Sequence, residues 1–135
     1  LRQVIGRPTA NECVALGLGF NELALVREVV LRGHSQPWVF ARSLLPLSSL
    51  TGELRHLRRQ GSRPLGAFLF SQPHLERSPL EIARIASGQG YVPGSYAGLD
   101  TLWGRRSVFR LRAKPLLVSE VFLPDFVASL TLERA

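Results

Sequence analysis

LLVSEVFLP, residues 116–124, alternates as a half-buried β-strand does, with one charged side chain out of place. Successive side chains of a strand point to opposite faces, so Leu116, Val118, Glu120 and Phe122 share one side. A carboxylate interrupts that apolar stripe. LALVREVVL, residues 23–31, is its mirror image: Leu23, Leu25, Arg27, Val29 and Leu31 share a face with a guanidinium at the centre. An unpaired buried charge costs several kcal/mol, so a charge on an inward face needs a partner. Three arrangements meet that need. Arg27 and Glu120 pair with each other; register or twist turns one of them outward; or both face a cavity, where one binds a carboxylate and the other a hydroxyl. A mostly apolar pocket with a few fixed polar groups suits a small aromatic acid.

Working outward, SVFRLRA (107–113) alternates in the same way, and a tight AK connection predicts a hairpin that ends at Pro124. Residues 23–32 and 37–45 form a second strand-like pair around GHSQ, a polar link of hairpin length. Between the hairpins, PLSSLTGELRHLRRQG (46–61) carries Leu50, Leu54 and Leu57 at helical spacing, with Ser48 or Ser49 to cap it and Gly61 to stop it. RPLGAFLF (63–70) predicts a second short helix with Pro64 in its first position. SPLEIARIA (78–86) is two-sided. Ser78, Pro79 and Glu81 fit a helix start with a capping box, whereas Ile82, Ile85 and the short length also fit a strand. Residues 87–100, SGQGYVPGSYAGLD, read as a surface loop. Residues 1–21 read as a short helix or an irregular lead-in, broken by Gly6, Pro8, Gly17 and Gly19. The order predicts one α+β domain over residues 1–135: an antiparallel sheet with helices packed on one side.

At 135 residues and 45% apolar composition the chain is long enough to bury a single core. No apolar run reaches the length of a membrane span and no leader pattern opens the chain, so a soluble, cytoplasmic protein is expected, without membrane insertion. One cysteine, Cys13, fits a reducing compartment. The net charge is +7, and Lys114 is the sole lysine among 17 cationic residues. Such a balance draws anions, whether nucleic acid, membrane surface or a small ligand.

Motifs for most catalytic classes are missing. His34, His56 and His74 stand apart with no ligand spacing, so no metal is expected. Neither a dinucleotide nor a P-loop glycine string occurs, nor a serine elbow. The basic run ELRHLRRQGSR (53–63) lacks interleaved aromatics, so a solvated helix face is expected there and no nucleic-acid partner. What remains is chemistry that needs no cofactor.

LVREVVL, QPWVFARSLLPLSSLTGE, RPLGAFLF, LEIARI and above all LWGRRSVFRLRAKPLLVSEVFLP together resemble the chorismate pyruvate-lyases, from about Leu25 to Pro124. The resemblance implies a monomer with an about six-stranded antiparallel sheet, helical flaps over a buried ligand pocket, and no cofactor. It implies that SPLEIARIA is a strand, whereas residues 87–101 depart from the family as a longer loop and are read as a surface loop insertion. It also implies the activity: a lyase that converts chorismate to 4-hydroxybenzoate and pyruvate on the way to ubiquinone. Three positions match the family's ligand contacts. Arg27 would grip the ring carboxylate, Glu120 would sit by the ring hydroxyl and assist catalysis, and Leu65 would offer its backbone N–H. Leu65 also lies in a helical first turn, where free N–H groups favour an anion. A second class, the effector-binding domains of winged-helix bacterial repressors, resembles the same fold and binds small molecules without transforming them.

Overall fold

The computed structural model describes residues 2–61, 63, 65–85, 91–97 and 101–134. Among the described residues, seven strands form one antiparallel sheet: β1 (Arg2–Gly6), β2 (Ala24–Gly33), β3 (Gln36–Pro46), β4 (Leu75–Arg77), β5 (Glu81–Ile85), β6 (Leu102–Leu111) and β7 (Lys114–Phe122). Their spatial order is β1-β2-β3-β7-β6-β4, and β5 pairs with another stretch of β6. Both expected hairpins form. His34 and Ser35 link β2 to β3 with positive φ angles of 51° and 65°, the geometry of a tight two-residue turn whose twist matches the strands. Arg112 and Ala113, at 51° and 68°, do the same for β6 and β7, so the second turn lies one residue earlier than AK, and Lys114 opens β7.

The region between the hairpins is helical but tighter than an α-helix. Leu47–Ser49 and Gly52–Arg59 are 3-10 segments, and Gly61 ends the run at a φ of 61°. Because residues three apart eclipse in such a helix, Leu54 and Leu57 point inward together while Arg55, His56, Arg58 and Arg59 stay in water. A helix over Leu65–Phe70 follows (called α2 below); Pro64 lies outside the described residues. SPLEIARIA yields β5, the strand alternative, because residues 81–85 find hydrogen-bond partners along β6.

The first twenty residues are more ordered than their glycines suggest. β1 is a short edge strand on β2, and α1 spans Ala10–Leu16. Thr9 and Glu12 close a capping box at its start, and Gly17 caps its end at a φ of 70°. Helices therefore cover both faces of the sheet, not one. Leu16 of α1 packs with Ala24, Val26, Leu44, Val108 and Leu117 on one face. On the other, Leu54, Leu57, Leu65 and Leu69 pack against Leu25, Leu45, Phe109 and Leu116. A last helix, α4 (Pro124–Arg134), continues beyond the expected end at Pro124, with Phe126 against Trp38 and Phe122 at 5.3 and 5.6 Å. The segment read as a surface loop insertion is partly core. Val92 is buried and joins Phe40, Leu102, Val121 and Leu123, with Tyr91 packed beside them, and a short helix (α3, Gly94–Ala97) follows; residues 86–90 and 98–100 lie outside the described residues. Among the described residues no helix is long and apolar enough to cross a membrane.

Candidate active site

Strand register decides which side chains meet. Arg27 on β2 lies opposite Ser43 on β3, Ser43 opposite Val118 on β7, and Val118 opposite Ser107 on β6. One step along, Val29, Ala41, Glu120 and Arg105 form a second row. These eight residues share one face and make the floor of a cavity of about 510 Å³, within the range of small-molecule sites. Leu65, Gly66, Leu69 and Phe70 of α2 line it from above, and Arg77 and Leu80 stand at its side.

Arg27 is 4% exposed. Its guanidinium donates to the backbone carbonyls of Gly61 and of Arg63, the latter at 2.8 Å, both in the link between the 3-10 segment and α2. Burial pulls its pKa below the ordinary arginine value. Glu120 is held differently: Arg105 donates its Nε to Oε1 at 3.1 Å. The two charges that break the apolar stripes therefore do not clasp each other. β3 runs between their strands, and each is oriented by another group. Leu65 is buried at the start of α2, where first-turn N–H groups have no acceptor within the helix. All three sequence-derived site residues line the same cavity.

Several lining residues escaped the sequence reading. Arg105, Ser107 and Phe109 share the face of Glu120, and the alternation of GRRSVFRL was enough to find them once β6 and β7 were paired. Arg77 sits on a three-residue strand with no pattern to betray it. The three histidines are exposed, and among the described residues no group of three or more His, Cys, Asp or Glu side chains gathers to hold a metal ion.

The opposite face holds another hollow, of about 470 Å³, lined by Glu12, Tyr91, Arg106 and Ser119 among others. Its charges are already matched. Arg42 meets Glu12 at 2.9 Å and Glu28 at 3.0 Å, and Arg106 meets Glu81 at 3.3 Å. Burial alone would raise the Glu12 carboxyl, but hydrogen bonds from Arg42 and the Thr9 backbone, with the Arg42 charge, hold it below the usual carboxylate range. Burial likewise pushes the Tyr91 hydroxyl up. Buried acids neutralise the guanidinium on that side, which fits a structural cluster better than an anion site.

The family model for chorismate lyase matches residues 9–130. The chain belongs to the chorismate lyase family. Proteins described as "Probable chorismate pyruvate-lyase" from Azoarcus sp. (strain BH72), Pseudomonas putida and Methylococcus capsulatus are 48%, 47% and 40% identical to it. The matches cover 92%, 84% and 92% of this chain, and 70%, 60% and 78% of those relatives, so the chain spans only part of their length. The chorismate lyase match begins well before Leu25, where the recognisable strings start, and so takes in α1. Among solved structures, the C-terminal domain of PhnF superimposes with a TM-score of 0.71 at 18% identity, covering 93% of this chain and 80% of that one. A GntR-family transcriptional regulator from Bacillus cereus gives 0.65 at 12% identity, covering 93% and 89%. At such identities the likeness is one of fold.

Proposed function

We propose that the chain is a chorismate pyruvate-lyase that releases 4-hydroxybenzoate and pyruvate without a cofactor, supplying the aromatic acid for ubiquinone. What carries the reading is the pair of charges on one cavity floor: a buried arginine and a glutamate, held apart by β3 and each oriented by its own partner. In this reading Arg27 receives the ring carboxylate, which a planar guanidinium binds through two parallel hydrogen bonds. The Leu65 N–H supplies a further donor from above, and Glu120 accepts the hydrogen bond of the ring hydroxyl.

The chemistry asks for positioning. The C–H electron pair of the hydroxyl-bearing carbon becomes a ring double bond as the neighbouring ether C–O bond breaks. The ring is then aromatic, and the proton ends on the departing enolpyruvate to give pyruvate. No electron leaves the pair of products, so no redox partner is required, and aromatisation drives the step. Orientation and stabilisation of the departing charge are what remain for the protein to supply. Glu120, fixed by Arg105, is the side chain placed to relay the proton. The protein acts as a monomer in the cytoplasm, where a single buried thiol is safe.

Incubation with chorismate tests the reading. Equimolar 4-hydroxybenzoate and pyruvate, followed by absorbance and a coupled pyruvate assay, are expected. Binding without turnover would leave an effector domain of the kind its fold relatives belong to, and would overturn the lyase.

A further inference from the structure

Four arginines line the cavity, and their partners differ. Arg105 is paired with Glu120, and Arg106 with Glu81 and the Asn11 amide oxygen. Arg27 meets only backbone carbonyls. Arg77 donates its Nε to the Ser107 hydroxyl at 3.2 Å, and its guanidinium lies over the rings of Phe109 at 5.3 Å and Phe70 at 5.9 Å. Among the described residues, Arg27 and Arg77 are thus the lining arginines with no carboxylate partner.

Their placement is also informative. The row Arg27, Ser43, Val118, Ser107 crosses four strands, and Ser107 holds Arg77 at its far end. At the usual strand spacing the two ends are about 14 Å apart between backbones. Both arginines line the cavity, and Glu120 flanks the middle of the row. Aromatic faces and a hydroxyl fix the Arg77 guanidinium while leaving its two terminal nitrogens without a partner among the described residues. Arg27 is buried and Arg77 is exposed at the other end of the row, so a ligand lying along the floor with a carboxylate at each end can meet both.

We infer that Arg77, seated on Ser107, Phe109 and Phe70 at the side of the cavity, is the binding site for a second carboxylate of the ligand, making the cavity selective for dicarboxylates. The inference rests on the proposed lyase reading and deepens it. With the ring carboxylate on Arg27, the enolpyruvyl carboxylate of the substrate falls to Arg77, and it departs with pyruvate. The product, with one carboxylate, keeps the contacts to Arg27, Leu65 and Glu120 and loses the one to Arg77. Substrate and product are thereby told apart at one residue.

Calorimetric titration with 4-hydroxybenzoate and with chorismate, alongside steady-state kinetics, tests this on the wild type, Arg77→Ala, Arg77→Lys and Ser107→Ala. Arg77→Ala is expected to raise KM for chorismate by about tenfold, while the calorimetric Kd of 4-hydroxybenzoate stays within about twofold. Arg77→Lys should recover part of the loss and Ser107→Ala should show a smaller one of the same selectivity. Unchanged chorismate affinity in Arg77→Ala overturns the inference, as does an equal loss for both ligands, which would mark a structural role. Should the wild type bind chorismate without turning it over, the lyase reading fails. The ratio of the two Kd values still decides the role of Arg77. Binding of 4-hydroxybenzoate by the wild type with none of chorismate overturns both the lyase reading and the second-carboxylate site.

Discussion

Removal of the Arg27 guanidinium is the perturbation with the largest expected effect. The side chain is 4% exposed, so a carboxylate that meets it does so out of water. Of its five N–H donors, two go to the carbonyls of Gly61 and Arg63, leaving three for a ligand. Truncating one partner of a desolvated charge pair costs about 2–5 kcal/mol. Arg27→Ala should therefore weaken 4-hydroxybenzoate by roughly 30- to 5,000-fold. The same change frees the link above the cavity, so part of any loss arises from a loosened roof. The uncharged amide of the ligand separates the two effects. Wild type and Arg27→Ala are each titrated calorimetrically with 4-hydroxybenzoate and with 4-hydroxybenzamide, which closes a double-mutant cycle between residue and carboxylate. The wild type should prefer the acid strongly and the variant should have lost that preference, while Arg27→Lys, with one point charge and no fork, falls between. An acid-over-amide preference that survives in Arg27→Ala would refute the assignment, however much both affinities fall.

Other outcomes follow from neighbouring contacts. Glu120→Gln should lower kcat by about 10²- to 10⁴-fold with an unchanged melting temperature, since the loss is of proton handling; near-normal turnover would remove its role. Glu12→Gln should destabilise the fold by about 3 kcal/mol without altering ligand affinity, because it leaves the half-buried Arg42 with Glu28 alone on the face away from the cavity. The folded Glu12 pKa lies below its ordinary 4.5, so its contribution is complete above pH 4.5 and fades as pH falls through the lower folded value. Melting curves from about pH 6 to pH 3 should show that acid loss in the wild type and a flatter profile in Glu12→Gln. Ala113→Gly should raise stability by roughly 0.5–1 kcal/mol, as a left-handed φ of 68° strains a residue with a Cβ; a lower melting temperature would contradict the turn geometry.

The parts of the fold that were legible are those whose order is written in alternation. β2, β3, β6 and β7 carry apolar residues at every second position of one face, and the two odd charges stood out against that rhythm, even though helices on both sides of the sheet bury runs such as residues 24–27 and 43–46. β1, β4 and β5 were not legible in this way. They are short edge strands with largely exposed side chains, held by hydrogen bonds to a longer neighbour rather than by a buried stripe. β5 is the clearest case. Its Ser-Pro-Leu-Glu start satisfies a helix cap locally, and only pairing with β6 outvotes it. The 3-10 form of residues 52–59 was hidden for a related reason, since leucines three apart suit both helices equally.

The site divides along the same line. Arg27 and Glu120 could be picked out one strand at a time, but whether they clasp depends on which strands lie between them, a property of the sheet order β2-β3-β7. Sheet order also decides what the other arginines do. Arg105 and Arg106 are neighbours in sequence, yet alternation sends one to Glu120 on the cavity floor and the other across the sheet to Glu81 and α1. The excess of positive charge is thus not a diffuse surface property alone. On the α1 face buried acids have claimed Arg42, whereas on the flap face two guanidinium groups are held by neutral neighbours. Under the proposed reading, the flap-face cavity is where an acidic ring ligand gains more from the protein than the protein already gains from itself.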